Sequence, residues 1–230
     1  MAEFFLYSFA YSKFREGVWF SHLDTTRILE RAVRRARLEV AYTRGFNPHI
    51  RLSTPRALPL GVASAGEWFT LRLLRPEAPE PMQDRLNRRL PAGFRIVRVQ
   101  AGGAPPPEER FRLELRFRGD GVKAEEALEH LLSADRIEVE RIRKGKVGRR
   151  DVRPFFRGGR REGGRLSFLA APAGDRLPSP GDLVRALRGI AEDHGLEVEE
   201  ILVVPPGFEP PGREGGDGAG GVSGWNDHDA

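Results

Sequence analysis

The chain has 230 residues, 39% of them hydrophobic and 31% charged, with no cysteine and a formal net charge of +5. That is enough apolar content for one large domain or two of about a hundred residues each, and no apolar run reaches the roughly 18 to 20 residues of a spanning helix. The absence of cysteine excludes disulfides, thiolate zinc sites, protein-ligated iron–sulfur clusters and a cysteine nucleophile. The aromatic start, MAEFFLYSFAYSKF, lacks a basic leader and a small-residue cleavage site, so a cytoplasmic protein with no membrane partner is expected.

The net charge understates a basic body. From Pro205 onward one arginine (Arg213) stands against five acids (Glu209, Glu214, Asp217, Asp227, Asp229), a net of −4 that leaves +9 for the rest. A basic body suggests polyanions, nucleic acid first. Lysine occurs only at 13, 123, 144 and 146, so arginine abundance can reflect base composition, and clustering carries more weight than count.

In chain order, Phe4 to Phe14 predicts an aromatic-rich strand, and Glu16-Gly17 turns the chain into Val18-Trp19-Phe20. Ser21 or Asp24 can cap a helix over Thr25 to Arg37, whose Ile28, Leu29, Ala32, Val33 and Ala36 form one apolar face. The turn Gly45-Phe46-Asn47-Pro48-His49 leads to a short strand, Ile50 to Ser53. Glu67 to Leu74 alternates as a longer strand, Pro79 to Leu90 fits a helix, and Phe94 to Gln100 is a strand again. After a linker at Gly102 to Pro107 the same order recurs: strand 111–117, helix 123–132, strands 137–143 and 165–170, helix 181–194 and strand 196–204.

That order, β-α-β-β-α-β twice, predicts an α+β protein of two tandem ferredoxin-like domains with antiparallel sheets. The first spans 1–101 and the second 108–205, each a four-stranded sheet backed by two helices. Residues 206–230, rich in Gly, Pro and acids, predict a disordered acidic tail.

Two stretches concentrate candidate chemistry. Along the first helix Arg27, Arg31 and Arg35 stand four residues apart with Arg34 beside them, a spacing at which like charges repel. A solvated face explains them plainly; phosphate binding by planar guanidinium forks explains why they cluster. At its entrance His22 and Asp24 could serve as general acid or base and orienting carboxylate, or pack and cap. Asn47 and His49 in the following turn could complete a pocket, but the spacing demands no metal and no cofactor motif is present. The second stretch, Arg141 to Arg165, holds eleven cations against Asp151 and Glu162. With Phe155 and Phe156 among its glycines it predicts a mobile basic hairpin able to track phosphates and stack bases. Arg143, Lys144, Lys146, Arg149, Arg150 and Arg153 are its candidate contacts. His130 and His194 are expected at the surface.

These residues carry a resemblance. Ser21-His22-Leu23-Asp24, Arg27, Glu30-Arg31, Arg34-Arg35, Tyr42, Gly45 to His49, Leu52-Ser53, Leu58-Pro59-Leu60-Gly61, Ser64 and Glu67 resemble the bacterial family of radical SAM-linked (radical SAM-associated) proteins, a domain of unknown function. So do Arg143-Lys144-Gly145-Lys146 and Asp151-Val152-Arg153-Pro154. Ile50 departs from the proline expected after the turn. The resemblance implies a partner, a separate radical S-adenosylmethionine enzyme with a cobalamin-binding-like region. This cysteine-free chain would then be an RNA-binding accessory module, for tRNA or rRNA, rather than the enzyme itself. By fold analogy alone, tandem ferredoxin-like domains are also similar to CRISPR repeat-processing endoribonucleases. The alternatives are therefore a metal-independent endoribonuclease using His22 and Asp24, or a protein-only scaffold for the radical SAM partner.

Overall fold

A computed structural model describes residues 4–102, 110–143 and 145–208. The fold is mixed α+β, with four α-helices against a large, mostly antiparallel sheet. In the first half, β1 (Phe5–Lys13) lies between β3 (Val62–Leu73) and β4 (Phe94–Ala101), while the short β2 (Leu52–Ser53) borders the far edge of β3. The second half places β5 (Phe111–Arg118) between β9 (Arg165–Ala170) and β10 (Glu197–Val204), with β8 (Phe156–Glu162) outside β9.

One strand joins the halves. The first residues of β3 pair in parallel with β10 (Val62 with Ile201, Ala63 with Leu202, Ser64 with Val203), and the order runs unbroken as β4-β1-β3-β10-β5-β9-β8. Two separate four-stranded sheets were expected; the structure has one continuous sheet. The sequence pattern conceals the seam because Val62 to Phe69 is buried throughout and does not alternate.

Helices α1 (His22–Arg35) and α2 (Pro79–Asn87) cover one face of the first half. Leu29, Ala32 and Val33 of α1 and Met82 and Leu86 of α2 pack on Tyr7, Phe9, Phe69 and Leu71. Helices α3 (Gly121–Ser133) and α4 (Pro180–Asp193) continue that cover over Leu113, Leu115, Phe168 and Ile201. Fully burying aliphatic and aromatic side chains of this kind stabilises by about 1.5–3 kcal/mol each, so these two cores dominate the fold.

The region 137–165 corrects the expected strand assignment. The strand ending at Arg143 does not join the main sheet. It is β6 (Glu138–Arg143), paired with β7 (Lys146–Asp151) as a separate two-stranded ribbon. Its expected place beside β9 belongs to β8, written FRGGRRE. Periodicity conceals β8 because glycine takes an inward position. A Cβ at Gly159 would stand 2.7 Å from Leu128 and 2.8 Å from Phe168, so α3 presses directly on the strand's backbone.

The start of the expected C-terminal tail is also packed. Phe208 stands edge-on to Trp68 at 5.8 Å on the sheet face away from the helices, beneath the Arg98 guanidinium 4.6 Å from its ring centre. Arg98 also donates to the Gly207 carbonyl at 2.9 Å. The remainder of that tail, 209–230, lies outside the described residues.

A 3-10 turn, Arg15–Trp19, leads from β1 toward α1 and is held against the loop before β4. Phe14 donates to the Gly93 carbonyl at 2.9 Å, and a Cβ at Gly93 would lie 2.5 Å from the Gly17 nitrogen. Gly93 also has φ +83°, which L side chains resist. Replacing it with alanine is expected to lower the unfolding free energy by at least about 1–3 kcal/mol in urea titration. G102A, at φ +74° but in open space, is expected to lose less.

Candidate functional site

Helix α1 begins one residue after Ser21, which is its N-cap. The Ser21 hydroxyl donates to Asp24 Oδ2 at 2.6 Å and accepts from the Asp24 amide at 3.2 Å, while the Ser21 amide donates back to Asp24 Oδ2. This capping box holds the Asp24 carboxyl below the usual carboxylate range; the Ser21 hydroxyl is the largest cause, and its amide and Arg27 add to it. Asp24 therefore serves the helix start. His22 contacts a different group, with its Nε2 3.3 Å from Thr54 Oγ1. Among the described residues no hydrogen bond or ion pair joins Asp24 to His22.

The arginines of α1 divide by partner. Arg35 donates to the Arg89 carbonyl and ties α1 to the end of α2. Arg27 and Arg34 reach only loose pairs, each 3.9 Å from Asp24 and Glu30 respectively, and both remain exposed. Arg31 is exposed and makes no ion pair among the described residues. Surface pairs at that distance contribute little, so Arg27, Arg31 and Arg34 form the available cationic face.

Asn47 and His49 lie on the exposed turn that carries a fully exposed Phe46. The turn closes on itself: the His49 amide donates to Thr43 Oγ1 at 2.9 Å, and Thr43 donates to the His49 carbonyl at 2.8 Å. Among the described residues no hydrogen bond or ion pair joins His49 or Asn47 to His22 or Asp24. Ile50, where proline was expected, is buried and bridges Tyr42, so an apolar side chain rather than a rigid ring closes the turn.

Beneath the α1 entrance lies a buried ion cluster that sequence reasoning only half identified. A bulge in β3 sets it up: Tyr11 pairs with Glu67 and Lys13 with Ser64, so β3 holds one residue more than β1 across that interval. The extra residue turns Ser64 and Glu67 toward the same side as Tyr11 and Lys13. Glu67 accepts from Arg56 at 2.7 and 3.3 Å and from the Ser64 hydroxyl at 2.9 Å. Lys13 is buried and donates to the Phe20 carbonyl at 2.8 Å. Burial lowers the pKa of Lys13, and the Glu67 carboxylate partly opposes that shift. Burial first, then Glu67, keeps the Tyr11 hydroxyl protonated. Lys13 and Arg56 had escaped notice, yet a signal existed: in a chain that uses arginine almost everywhere, Lys13 is the one lysine before residue 123.

The basic stretch 141–165 is largely committed to the protein itself. Asp182, at the start of α4 and fully buried, holds Arg141 at 3.3 Å, Arg150 at 3.1 Å and Arg185. Arg153 donates to the Leu132 and Phe156 carbonyls, and Arg157 to those of Pro154 and Pro172. Arg149 pairs with Glu138 and Arg161 with Glu125. Phe155 and Phe156 are core residues, so they offer no stacking surface. What the ribbon does expose is Lys146, Arg149 with its loose 3.7 Å pair, part of Arg141, and the cross-strand pair Ile142 and Val147, 78% and 64% exposed. Arg143 closes β6 in pairing with Lys146, and Lys144 lies outside the described residues. His130 and His194 meet side by side, 3.1 Å apart, between α3 and the end of α4. Among the described residues no group of three or more His, Asp or Glu is arranged to hold a metal ion.

The family model described as "Uncharacterized protein conserved in bacteria (DUF2344)" matches residues 7–170. Among solved structures, a protein titled "Crystal Structure of an Unknown Protein from Galdieria sulphuraria" is similar at 15% identity, over 88% of this chain and 99% of that one, with a TM-score of 0.29. A comparison with curated proteins finds no match.

Removing Glu67 takes away the carboxylate that Arg56 donates to and that opposes the burial of Lys13. E67A is expected to cost about 3–5 kcal/mol in chemical denaturation, and E67Q less, because its amide oxygen can still accept from Arg56. S21A is expected to raise the Asp24 pKa, read by NMR titration. The folded carboxyl is depressed, so the stabilisation this contact gives is full above the ordinary carboxylate pKa. It is lost as pH falls through the folded value, and S21A should narrow that acid window.

Proposed function

The chain belongs to this uncharacterised bacterial family, and we propose that it is a non-catalytic RNA-binding accessory module. It would serve a separate radical S-adenosylmethionine enzyme acting on tRNA or rRNA. The observation that carries the reading is the row Arg27, Arg31 and Arg34 on α1, exposed cations without close partners among the described residues, whereas Arg141, Arg150, Arg153 and Arg157 of the second basic stretch are held internally. Exposed guanidinium groups one helical turn apart suit successive phosphates. The common strand order of the two halves supports reading each as a ferredoxin-like unit, here fused along an edge. The partner enzyme comes from the resemblance in sequence. The exposed Ile142–Val147 pair on the β6–β7 ribbon supports a protein contact, since an apolar pair on a projecting arm gains from being covered.

The endoribonuclease alternative has less support, because Asp24 serves Ser21 and Arg27 rather than orienting His22. The basic region 141–165 retains Lys146 and Arg149 as available contacts, but the internal pairing of Arg141, Arg150, Arg153 and Arg157 shifts the expected RNA footprint toward α1.

Filter binding of small RNA over a range of salt tests the reading. The triple change R27A/R31A/R34A is expected to weaken binding by at least tenfold and to flatten the slope of log K against log salt by up to about 0.9 per lost phosphate contact. R35A, which loses a tie to α2, should affect stability more than the salt slope. RNA binding that is unchanged in the triple variant, or indifferent to salt, would discard α1 as the interface.

A further inference from the structure

The 3-10 turn ends in a tryptophan that the fold does not use. Trp19 is 71% exposed, whereas a core residue of its size would be covered. The protein fixes its place: Val18 accepts from the Gly61 amide at 2.9 Å, and the Gly17–Gly93 contact clamps the other end of the turn. Gly61 lies beside it with φ +74°. A Cβ there would stand 3.7 Å from the Trp19 ring and 3.2 Å from a terminal nitrogen of Arg188 on α4. Only glycine both adopts that backbone and leaves the indole and the guanidinium adjoining with no side chain between them. Arg188 is exposed and makes no hydrogen bond or ion pair among the described residues. Leu60, next in the chain, is exposed as well.

An exposed indole on a fixed stretch of backbone, with an exposed guanidinium close by, offers a flat π surface and a cation near what lies on it. A planar ring with an attached anion satisfies both, since stacking covers the indole face and the guanidinium meets the charge. We infer that Trp19, Gly61 and Arg188 form a stacking site for an unpaired nucleotide base, so that the RNA bound along α1 is single-stranded where it passes this point. The inference rests on the RNA reading above and adds to it the class of RNA. In a duplex both faces of every internal base are already stacked, and Trp19 could reach only the backbone. The site also draws one group from each half of the fold, Trp19 from the 3-10 turn and Arg188 from α4.

Fluorescence of the full chain tests it directly. Of the three tryptophans, Trp68 is buried and Trp225 can be replaced by phenylalanine in the background. The probes are an unstructured RNA strand of about a dozen nucleotides, within the span such surfaces cover, and a duplex of the same length. The single strand is expected to quench Trp19 and to bind more tightly than the duplex. W19A should lose about tenfold in single-strand affinity, with W19F keeping most of it. R188A should weaken the same complex while leaving circular dichroism unchanged. Salt-sensitive binding of both probes with equal affinity, indifferent to W19A and R188A, would overturn this inference and leave the RNA reading standing. Failure of the wild-type chain to bind either probe would overturn both.

Discussion

The contact between Arg56 and Glu67 is the constraint on which the rest depends. Glu67 is buried in the strand that belongs to both halves, and a carboxylate there is tolerable only with a cation and hydroxyl donors around it. Arg56 supplies the cation from the loop after β2, and its guanidinium also lies 5.1 Å from the ring centre of Phe111 in the second half. One side chain thus neutralises the first half's buried charge while lying against the second half's core. The parallel seam pairs only three residues of each strand, too little hydrogen bonding to account for the join alone. The ion pair, with Ser64 and Lys13, fixes the bulge that brings β3 into register with β10.

From that centre the outer features follow. The bulge turns Lys13 inward, Lys13 holds the Phe20 carbonyl, and the chain then enters α1 through the Ser21–Asp24 box. The exposed Trp19 precedes that box, and the arginine row follows it. The available chemistry of the surface is therefore set by polar groups that never reach solvent.

Amphipathic elements were plain in the sequence. The faces of α1, α2 and α4, and the alternating β5 and β9, are legible because one side meets the core and the other meets water. What alternation cannot show is a strand buried on both faces, which is why Val62 to Gly66 went unread. Nor can it show a strand such as β8, which after Phe156 puts glycine at the inward position 159 and is otherwise mostly arginine. The site followed the same rule. His22, Asp24 and the α1 arginines stand where their spacing puts them. Their partners come from loops whose course depends on the tertiary fold, Thr54 for His22 and Arg89 for Arg35, just as Arg150 of the ribbon finds Asp182 on the distant α4. Counting cations over 141–165 gave no sight of the carboxylates and carbonyls that take them up.

Phe208 shows how the two faces of the sheet differ in what completes them. The helix face is closed by elements within each half, but the opposite face over Trp68 is closed by the chain after β10 returning across to Arg98 of β4. Gly66 leaves the notch for that ring, since a Cβ there would stand 2.6 Å from it. A shortened protein that stops at the end of β10 to be rid of the acidic residues beyond would therefore uncover an indole and an empty notch. The natural place to trim lies past Phe208, with the clasp kept.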